Sequence, residues 1–506
     1  MREREPRREK RFQAPIWSGL MLITLAAIAG GVGTTEKFLT EKQSSNRVYA
    51  SENIGAQEAL TNLKFKQEIV TTGLEFPTSM DIAPDGRIFI TEQSGNVKII
   101  ENDQLLETPF LTIPVSVLVE GGLIGVKLSP DFIQDRQVFL YYSSAPDELG
   151  NVVNRVSRFS AGTINPNIAD EDSEVILVDN IPSNEVHNGG GLEFDRNGML
   201  IIGTGEAGDG IENSQNLGSL GGKVLRVNPI DGSPAPNNPF IENPEADPRI
   251  YALGFRNPFT FSVDHQTGII LALDVGDASF EEVNKVEPGK NYGWPYMEGP
   301  GKQKPLPDDL PGSLTLPLYS YPHGQGSNAI TGGDVIRNNT YPKALQGMHV
   351  IGDYIASTIM ILNPQTAKVF DLNLAEGQII APVDLDFTAG GELYFLTIAP
   401  GWLSKISISQ EEPPMTTTPV ETIKPTPTEI PSPTPIIKFL MGDANCDSRV
   451  NSIDSAFILQ FSAGLLGEVP CENEADASAD GTINAIDATL ILQHSAGLID
   501  LNPKIP

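Results

Sequence analysis

The feature that most constrains this chain is a hairpin phrase that recurs between residues 67 and 408. Each copy has alternating apolar residues, a turn carrying Gly, and a second apolar run. One copy reads Met80-Asp81-Ile82-Ala83-Pro84-Asp85-Gly86-Arg87-Ile88-Phe89-Ile90 and another Leu192-Glu193-Phe194-Asp195-Arg196-Asn197-Gly198-Met199-Leu200-Ile201-Ile202. Two more run from Phe261 through Gly268 to Ile270, and from Val383 through Gly390-Gly391 to Phe395. Period-two apolar residues turn one face of a strand toward a core, and glycine supplies the positive φ that tight hairpins require. Hairpins repeated over this length, with almost no helical periodicity, predict an all-β six-bladed β-propeller at about 50 to 60 residues per blade. A pair of stacked β-sandwiches is the competing arrangement.

The boundaries of this segment are legible from composition. Residues 409–437 interleave Pro413, Pro414, Pro419, Pro425, Pro427, Pro431, Pro433 and Pro435 with Thr, which disfavours helix and sheet and gives an extended spacer. Residues 438–506 form a second unit. At the other end, Arg2, Arg4, Arg7, Arg8, Lys10 and Arg11 precede the uncharged run Ile16 to Ala29, the pattern of an export signal. Residues 1–33 are therefore read as a signal peptide, with a retained membrane anchor as the alternative, and 34–66 as an N-terminal linker. Acidic side chains outnumber basic ones 65 to 34, for a net charge of −31; a chain of this sign cannot gain affinity by releasing counterions from phosphates, so nucleic acid is set aside as a partner. Cys446 and Cys471 suggest one local bridge rather than a disulfide framework.

Three clusters carry the polar chemistry. His187 lies in the Gly-rich stretch Asn184-Glu185-Val186-His187-Asn188-Gly189-Gly190-Gly191, where backbone can approach a ligand closely. Imidazole is suited to taking a proton near neutrality, and a carboxylate on its other nitrogen raises its basicity. Glu206, in Gly203-Thr204-Gly205-Glu206-Ala207-Gly208 after the next strand, is the candidate carboxylate. The second cluster, Gly254-Phe255-Arg256-Asn257-Pro258, offers a cation for a developing oxyanion. The third, Asp274 to Asn284 with Gly276 and Asp277 in its turn, offers oxygens to a hard cation such as Ca²⁺. A solvated loop histidine, a structural Arg-Asn turn clamp and an exposed acidic loop remain the plain alternatives.

The ordered series Glu120-Gly121-Gly122-Leu123-Ile124-Gly125, Ser129 to Phe132, His187 with its glycines, Gly222 to Arg226, Gly254 to Pro258, Asp274 to Asn284 and Asn291-Tyr292-Gly293-Trp294-Pro295 resembles the pyrroloquinoline quinone-dependent soluble aldose dehydrogenases, the glucose/sorbosone dehydrogenase family. The resemblance spans about residues 68 to 407 and implies a six-bladed propeller. It implies that His187 is the base that takes the proton from a sugar's anomeric hydroxyl as hydride passes to the quinone, and that Glu206 supports it. Arg256 and Asn257 match cofactor contacts, and Glu120 occupies a cofactor-contacting position. The backbone oxygens of Gly276 and Asp277 match the ligands of the calcium that polarises the quinone. The chain departs from the pattern where basic side chains of the last two blades hold the cofactor's carboxylates: those positions fall on Ile355, Ala381 and Val383. Arg337 and Lys405 are the candidate substitutes.

The C-terminal unit contains a duplication. Asp443, Asn445, Asp447, Arg449, Asn451 and Asp454 in one copy, and Asp476, Ser478, Asp480, Thr482, Asn484 and Asp487 in the other, place oxygens at positions one, three, five, seven, nine and twelve of a calcium loop, the seventh through its carbonyl. Position twelve is Asp where an EF-hand has Glu. A single helix follows each loop, so the unit resembles a type I dockerin, a small α-helical calcium-binding domain of two loop-helix repeats. That resemblance implies calcium-dependent docking onto a cohesin, with Ser455 and Ala488 in the recognition region. The expectation for the whole is an exported quinone-dependent sugar dehydrogenase tethered through its dockerin, taking a sugar substrate and passing electrons to an acceptor the sequence does not identify. A non-catalytic carbohydrate- or protein-binding propeller is the alternative, and a lactonase on the same architecture a third reading.

Overall fold

The four hairpins legible in the sequence are each the first two strands of a sheet. Met80 pairs with Ile90, Leu192 with Ile202, Phe261 with Ala272 and Leu385 with Phe395, all antiparallel. Their turns are held by local acceptors: Asp195 Oδ1 accepts the backbone N–H groups of Asn197 and Met199 at 2.8 and 2.9 Å, while Gly198 takes φ +75°. A short polar side chain thus closes the turn on its own backbone. These features come from a computed structural model that describes residues 53–323, 328–408, 441–445, 450, 452–462, 466, 469–478, 481–495 and 501.

Six sheets of four or more strands follow one another along the described residues. The first opens with Pro77–Ile82, the second with Leu123–Leu128 and the third with Gly189–Phe194. The fourth opens with Pro258–Asp264, the fifth with Ile330–Val335 and the sixth with Pro382–Phe387. Each runs outward as an antiparallel meander. The third is extended in parallel by Lys290–Asn291 and Ser313–Leu314. The six opening strands contact one another in a closed cycle, the sixth returning to the first, which makes an all-β, propeller-like ring and excludes stacked sandwiches. The ring is closed by chain order as well, because Phe65–Thr71 from the N-terminal side pairs antiparallel with Trp402–Ile408 of the sixth sheet.

The core lies between neighbouring sheets. Phe89, Leu140 and Phe159 pack between the first and second, and Phe139, Phe194 and Leu225 between the second and third. Fully burying side chains of this size contributes about 1.5–3 kcal/mol each. One expectation is corrected here. Within the stretch read as a linker, residues 53–62 form a helix, and its Ala56 and Leu60 are buried against Phe65, Leu345 and Phe370. The axis of the ring is polar: Lys127 Nζ from the second sheet lies 2.9 Å from Asp81 Oδ1 of the first and 2.7 Å from Glu193 Oε2 of the third.

In the C-terminal unit the helices Ser452–Ser462 and Ala485–Ser495 pack together over Ala444, Ile458, Val469, Ala475, Ala488 and Ile491. Among the described residues no helix is long and apolar enough to cross a membrane. The N-terminal signal and the spacer 409–437 lie outside the described residues.

Candidate functional site

The His187 loop and the Glu206 loop clasp each other through backbone. Ala207 N–H donates to His187 O at 3.0 Å, and a Cβ on Gly205 would fall 1.9 Å from that same oxygen, so only glycine permits the approach. His187 itself takes φ +58°, a left-handed conformation that costs a non-glycine residue about 1 kcal/mol or more and is held by its surroundings. Those surroundings are specific. Glu120 Oε2 accepts the His187 backbone N–H at 2.7 Å, and Asn188 beside it is tied to Asn154 and Asn184.

This strained backbone aims the imidazole at Glu206. His187 Nδ1 is 2.7 Å from Glu206 Oε1, with side-chain exposures of 18% and 1%. An ionised carboxylate only accepts, so Nδ1 carries the hydrogen and Nε2 keeps its lone pair. Nε2 has no partner among the described residues. Glu206 N–H donates to Arg256 O at 2.9 Å, and Gly189 N–H donates to Asn257 Oδ1 at 2.9 Å, so the first two sequence clusters form one network. Arg256 is buried, with Nη1 donating to Val275 O and Nη2 to Asp277 Oδ1, both at 3.1 Å. Its guanidinium lies 5.5 Å from the centroid of the Trp294 ring.

Asp274 organises this cation. Its carboxylate accepts the backbone N–H groups of Arg256 at 3.1 Å and Asn257 at 2.6 Å. Burial pushes its pKa up to about 7 against those two bonds. Glu282, its cross-strand neighbour, is pushed by burial and by the Asp274 charge to about 8. The turn carrying Gly276 and Asp277 is shaped by Glu298, whose Oε1 accepts the N–H groups of Asp277, Ala278, Ser279 and Phe280 at 2.8–3.2 Å. Burial works against the Glu298 charge, yet these bonds hold its carboxyl below the usual range. With its N–H groups turned to Glu298, the carbonyls of Gly276 and Asp277 receive no hydrogen bond from the described residues. No cluster of three or more His, Cys, Asp or Glu side chains suited to a metal occurs among the described residues.

His187, Glu206, Arg256, Asp277 and Trp294 line one cavity of about 320 Å³ with Glu298, Gln303 and Lys304. Glu120 and Asn257 do not line it; Glu120 holds the backbone of His187, which does, and Asn257 that of Gly189 in the same loop. The sequence reading missed Glu298, Gln303 and Lys304, which follow the Asn291-Tyr292-Gly293-Trp294-Pro295 motif without a pattern of their own. The two expected substitute cations are elsewhere, Arg337 being paired with Asp264 and Lys405 lying near Glu68 and Glu392. Val383 is buried among Met80, Ile90 and Leu396, and Ile355 is exposed.

The duplicated loops repeat one contact. The position-twelve carboxylate accepts the position-three backbone N–H in both copies: Asp454 from Asn445 at 3.2 Å, and Asp487 from Ser478 at 2.8 Å. Asp476 accepts from Gly481 N at 2.7 Å, Asn484 N donates to Asp487 at 2.8 Å, and Thr482 O accepts from the Asn484 amide at 3.0 Å. Asp443 is buried. Asp447, Arg449, Asn451 and Asp480 lie outside the described residues. Ser455 and Ala488 are each 1% exposed, Ala488 inside the small core, so neither presents a surface to a partner and that expectation is corrected; Ile486, at 58%, does present one. Cys471 is disulfide-bonded, and the chain's other cysteine, Cys446, lies outside the described residues.

Comparison with known proteins agrees with this geometry. The Glucose / Sorbosone dehydrogenase family matches residues 74–400, more than half the chain, and the Dockerin type I domain matches residues 441–494. An uncharacterised Synechocystis protein is 28% identical over 306 residues, 56% of this chain and 70% of that protein. The aldose sugar dehydrogenase YliI of Escherichia coli is 29% identical over 232 residues, 45% of this chain and 61% of the relative, so the chain spans less than two thirds of it. The PQQ-bound form of aldose sugar dehydrogenase from Streptomyces coelicolor superposes with a TM-score of 0.56 at 26% identity, covering 69% of this chain and 99% of that one. The chain belongs to the glucose/sorbosone dehydrogenase family and carries a type I dockerin domain at its C-terminal end.

Proposed function

We propose that this protein is an exported aldose sugar dehydrogenase that uses pyrroloquinoline quinone and Ca²⁺, built on a six-bladed propeller and tethered by its dockerin to a cohesin partner. The observation that carries the reading is the 2.7 Å His187–Glu206 pair on the wall of the cavity that Arg256 also lines. The quinone fits the residues present. Glu206, Arg256 and Trp294, which line the cavity, each keep one buried polar atom (Oε2, Nε and Nε1) without a hydrogen-bond partner among the described residues, so this wall keeps polar capacity for a planar ligand rich in carbonyl and carboxyl oxygens. The cavity volume lies in the range of small-molecule sites. Gly276 and Asp277 offer free carbonyl oxygens to a hard cation, as calcium requires.

The quinone, when bound, supplies the two-electron oxidant that takes hydride from the sugar's C1. His187 Nε2 accepts the proton of the C1 hydroxyl, so that a lactone results. Glu206 fixes the tautomer and stabilises the imidazolium that forms. Arg256, held between Asp277 and the face of Trp294, keeps a positive charge where negative charge develops on the acceptor. Glu120 holds the His187 backbone, Asn257 the backbone N–H of Gly189 two residues further on, and Asp274 the Arg256 backbone, so that base and cation keep their spacing. In the dockerin, the carboxylates of both loops bind Ca²⁺, and exposed Ile486 at the start of the second helix contributes to the cohesin-binding face. The test is reconstitution of the purified chain with quinone and Ca²⁺, followed by dye reduction over a panel of aldoses. Sugar-dependent reduction abolished by His187→Ala supports the reading, and its absence with every aldose despite bound quinone supports the non-catalytic propeller instead.

A further inference from the structure

The quinone reading leaves one electrostatic problem. The cofactor carries three carboxylates, and Ile355, Ala381 and Val383 stand where the family places cations. We infer that Lys304 supplies the missing charge, from the fourth sheet's side of the cavity rather than from the last two sheets; this assignment rests on the quinone reading itself.

Lys304 is delivered by a small hairpin. Met297–Glu298 pairs antiparallel with Gly301–Lys302, through a turn in which Gly299 takes φ +57°. The chain leaving the hairpin is pinned where Gln303 N–H donates to Tyr296 O at 2.8 Å and Lys304 N–H to the same oxygen at 3.3 Å. This places Lys304 on the wall of the cavity that holds His187 and Arg256.

Its ammonium is free to take an anion. Arg256, the other cation on that wall, is already paired with Asp277 at 3.1 Å. Lys304 makes no ion pair among the described residues, although three carboxylates line the same cavity. Each of those is engaged: Glu206 with His187, Asp277 with Arg256, and Glu298 with four N–H groups on Oε1 and with the Gln303 amide at 2.9 Å on Oε2. An exposed lysine on a flexible stem is a point charge that reaches for an anion rather than a rigid fork. It lowers the cost of bringing a multiply charged ligand to a chain of net charge −31.

The experiment is a titration of the full-length chain, in Ca²⁺, with pyrroloquinoline quinone, followed by the quinone's absorbance without any sugar. Lys304→Met weakens quinone binding by about tenfold, the size of one lost charge-assisted contact, whereas Lys304→Arg stays within about threefold of wild type. The wild-type affinity also falls more steeply with added salt than that of K304M, because one screened charge pair is gone from the variant. Thermal melting without quinone is the same for all three, as expected for an exposed side chain. Quinone binding by K304M equal to wild type, with the same salt dependence, overturns the Lys304 assignment alone. Failure of the wild-type chain to bind quinone overturns the quinone reading and the assignment with it.

Discussion

Lys127 is the cation at the axis of the ring, and replacing it with Met tests how the six sheets are held together. Its ammonium contacts Asp81 at 2.9 Å and Glu193 at 2.7 Å, joining the first three sheets. Asp334 of the fifth sheet and Asp384 and Asp386 of the sixth line the same axial cavity. Removing one partner of a buried ion pair costs about 3–5 kcal/mol; with the Lys127 side chain 22% exposed, the lower end, about 3 kcal/mol, applies here. The cost depends on pH. Burial raises the folded pKa values of Asp81, Asp334 and Asp386 and pushes Asp384 to about 6, while Lys127 opposes each of these shifts. A carboxyl whose folded pKa lies above its unfolded value binds extra protons in the native state, so its contribution to stability is lost as pH rises from about 4 through its folded pKa. Without Lys127 that loss is larger. The deficit of K127M is therefore small near pH 4 and full at pH 7. Urea unfolding followed by the fluorescence of Trp294 and Trp402 measures it. Equal midpoints for wild type and K127M at pH 7, or a deficit that grows on acidification, would refute the reasoning.

Three further outcomes follow from the site and the C-terminal unit. Glu206→Gln lowers turnover by about a hundredfold, because the glutamine no longer stabilises an imidazolium at His187; unchanged turnover removes that role. Cys471→Ser lowers the melting temperature of the dockerin, the loss of a local disulfide costing about 2–4 kcal/mol, with the propeller transition unmoved in calorimetry; a shifted propeller transition contradicts independent units. Ile486→Asp weakens capture by a type I cohesin by about tenfold or more, measured by surface binding in Ca²⁺ with the dockerin's melting unchanged. Equal capture excludes Ile486 from the interface.

The parts of the fold legible in the sequence were those closed by local chemistry. The Asp85-Gly86 and Asn197-Gly198 hairpins announce themselves because turn and register are set within about ten residues. The openings of the second and fifth sheets do not. Their first two strands are separated by a helical turn at Phe132–Asp135 and by the long connection from Ile336 to Met348. Closure through Phe65–Thr71 was equally hidden, since its partner Trp402–Ile408 lies more than three hundred residues away. At the site, His187, Glu206 and Arg256 could be named because each sits beside glycines that a close backbone approach requires. Lys304 and Glu298 could not, because only the folding of one hairpin against the Gly276–Phe280 turn brings them to the cavity. The likeness of Ser455 and Ala488 to partner-binding positions was misleading for a related reason: spacing gives the face of a helix, and packing decides whether that face is covered.

The central claim is that His187, Glu206 and Arg256 surround a quinone that oxidises a sugar. Its most direct test is the absorbance and dye-reducing activity of the purified chain after reconstitution with pyrroloquinoline quinone and Ca²⁺. The account predicts a bound quinone whose spectrum changes when an aldose is added, and dye reduction that disappears on chelation and in His187→Ala. A quinone that does not bind at any concentration, or one that binds and is never reduced by any aldose, contradicts it.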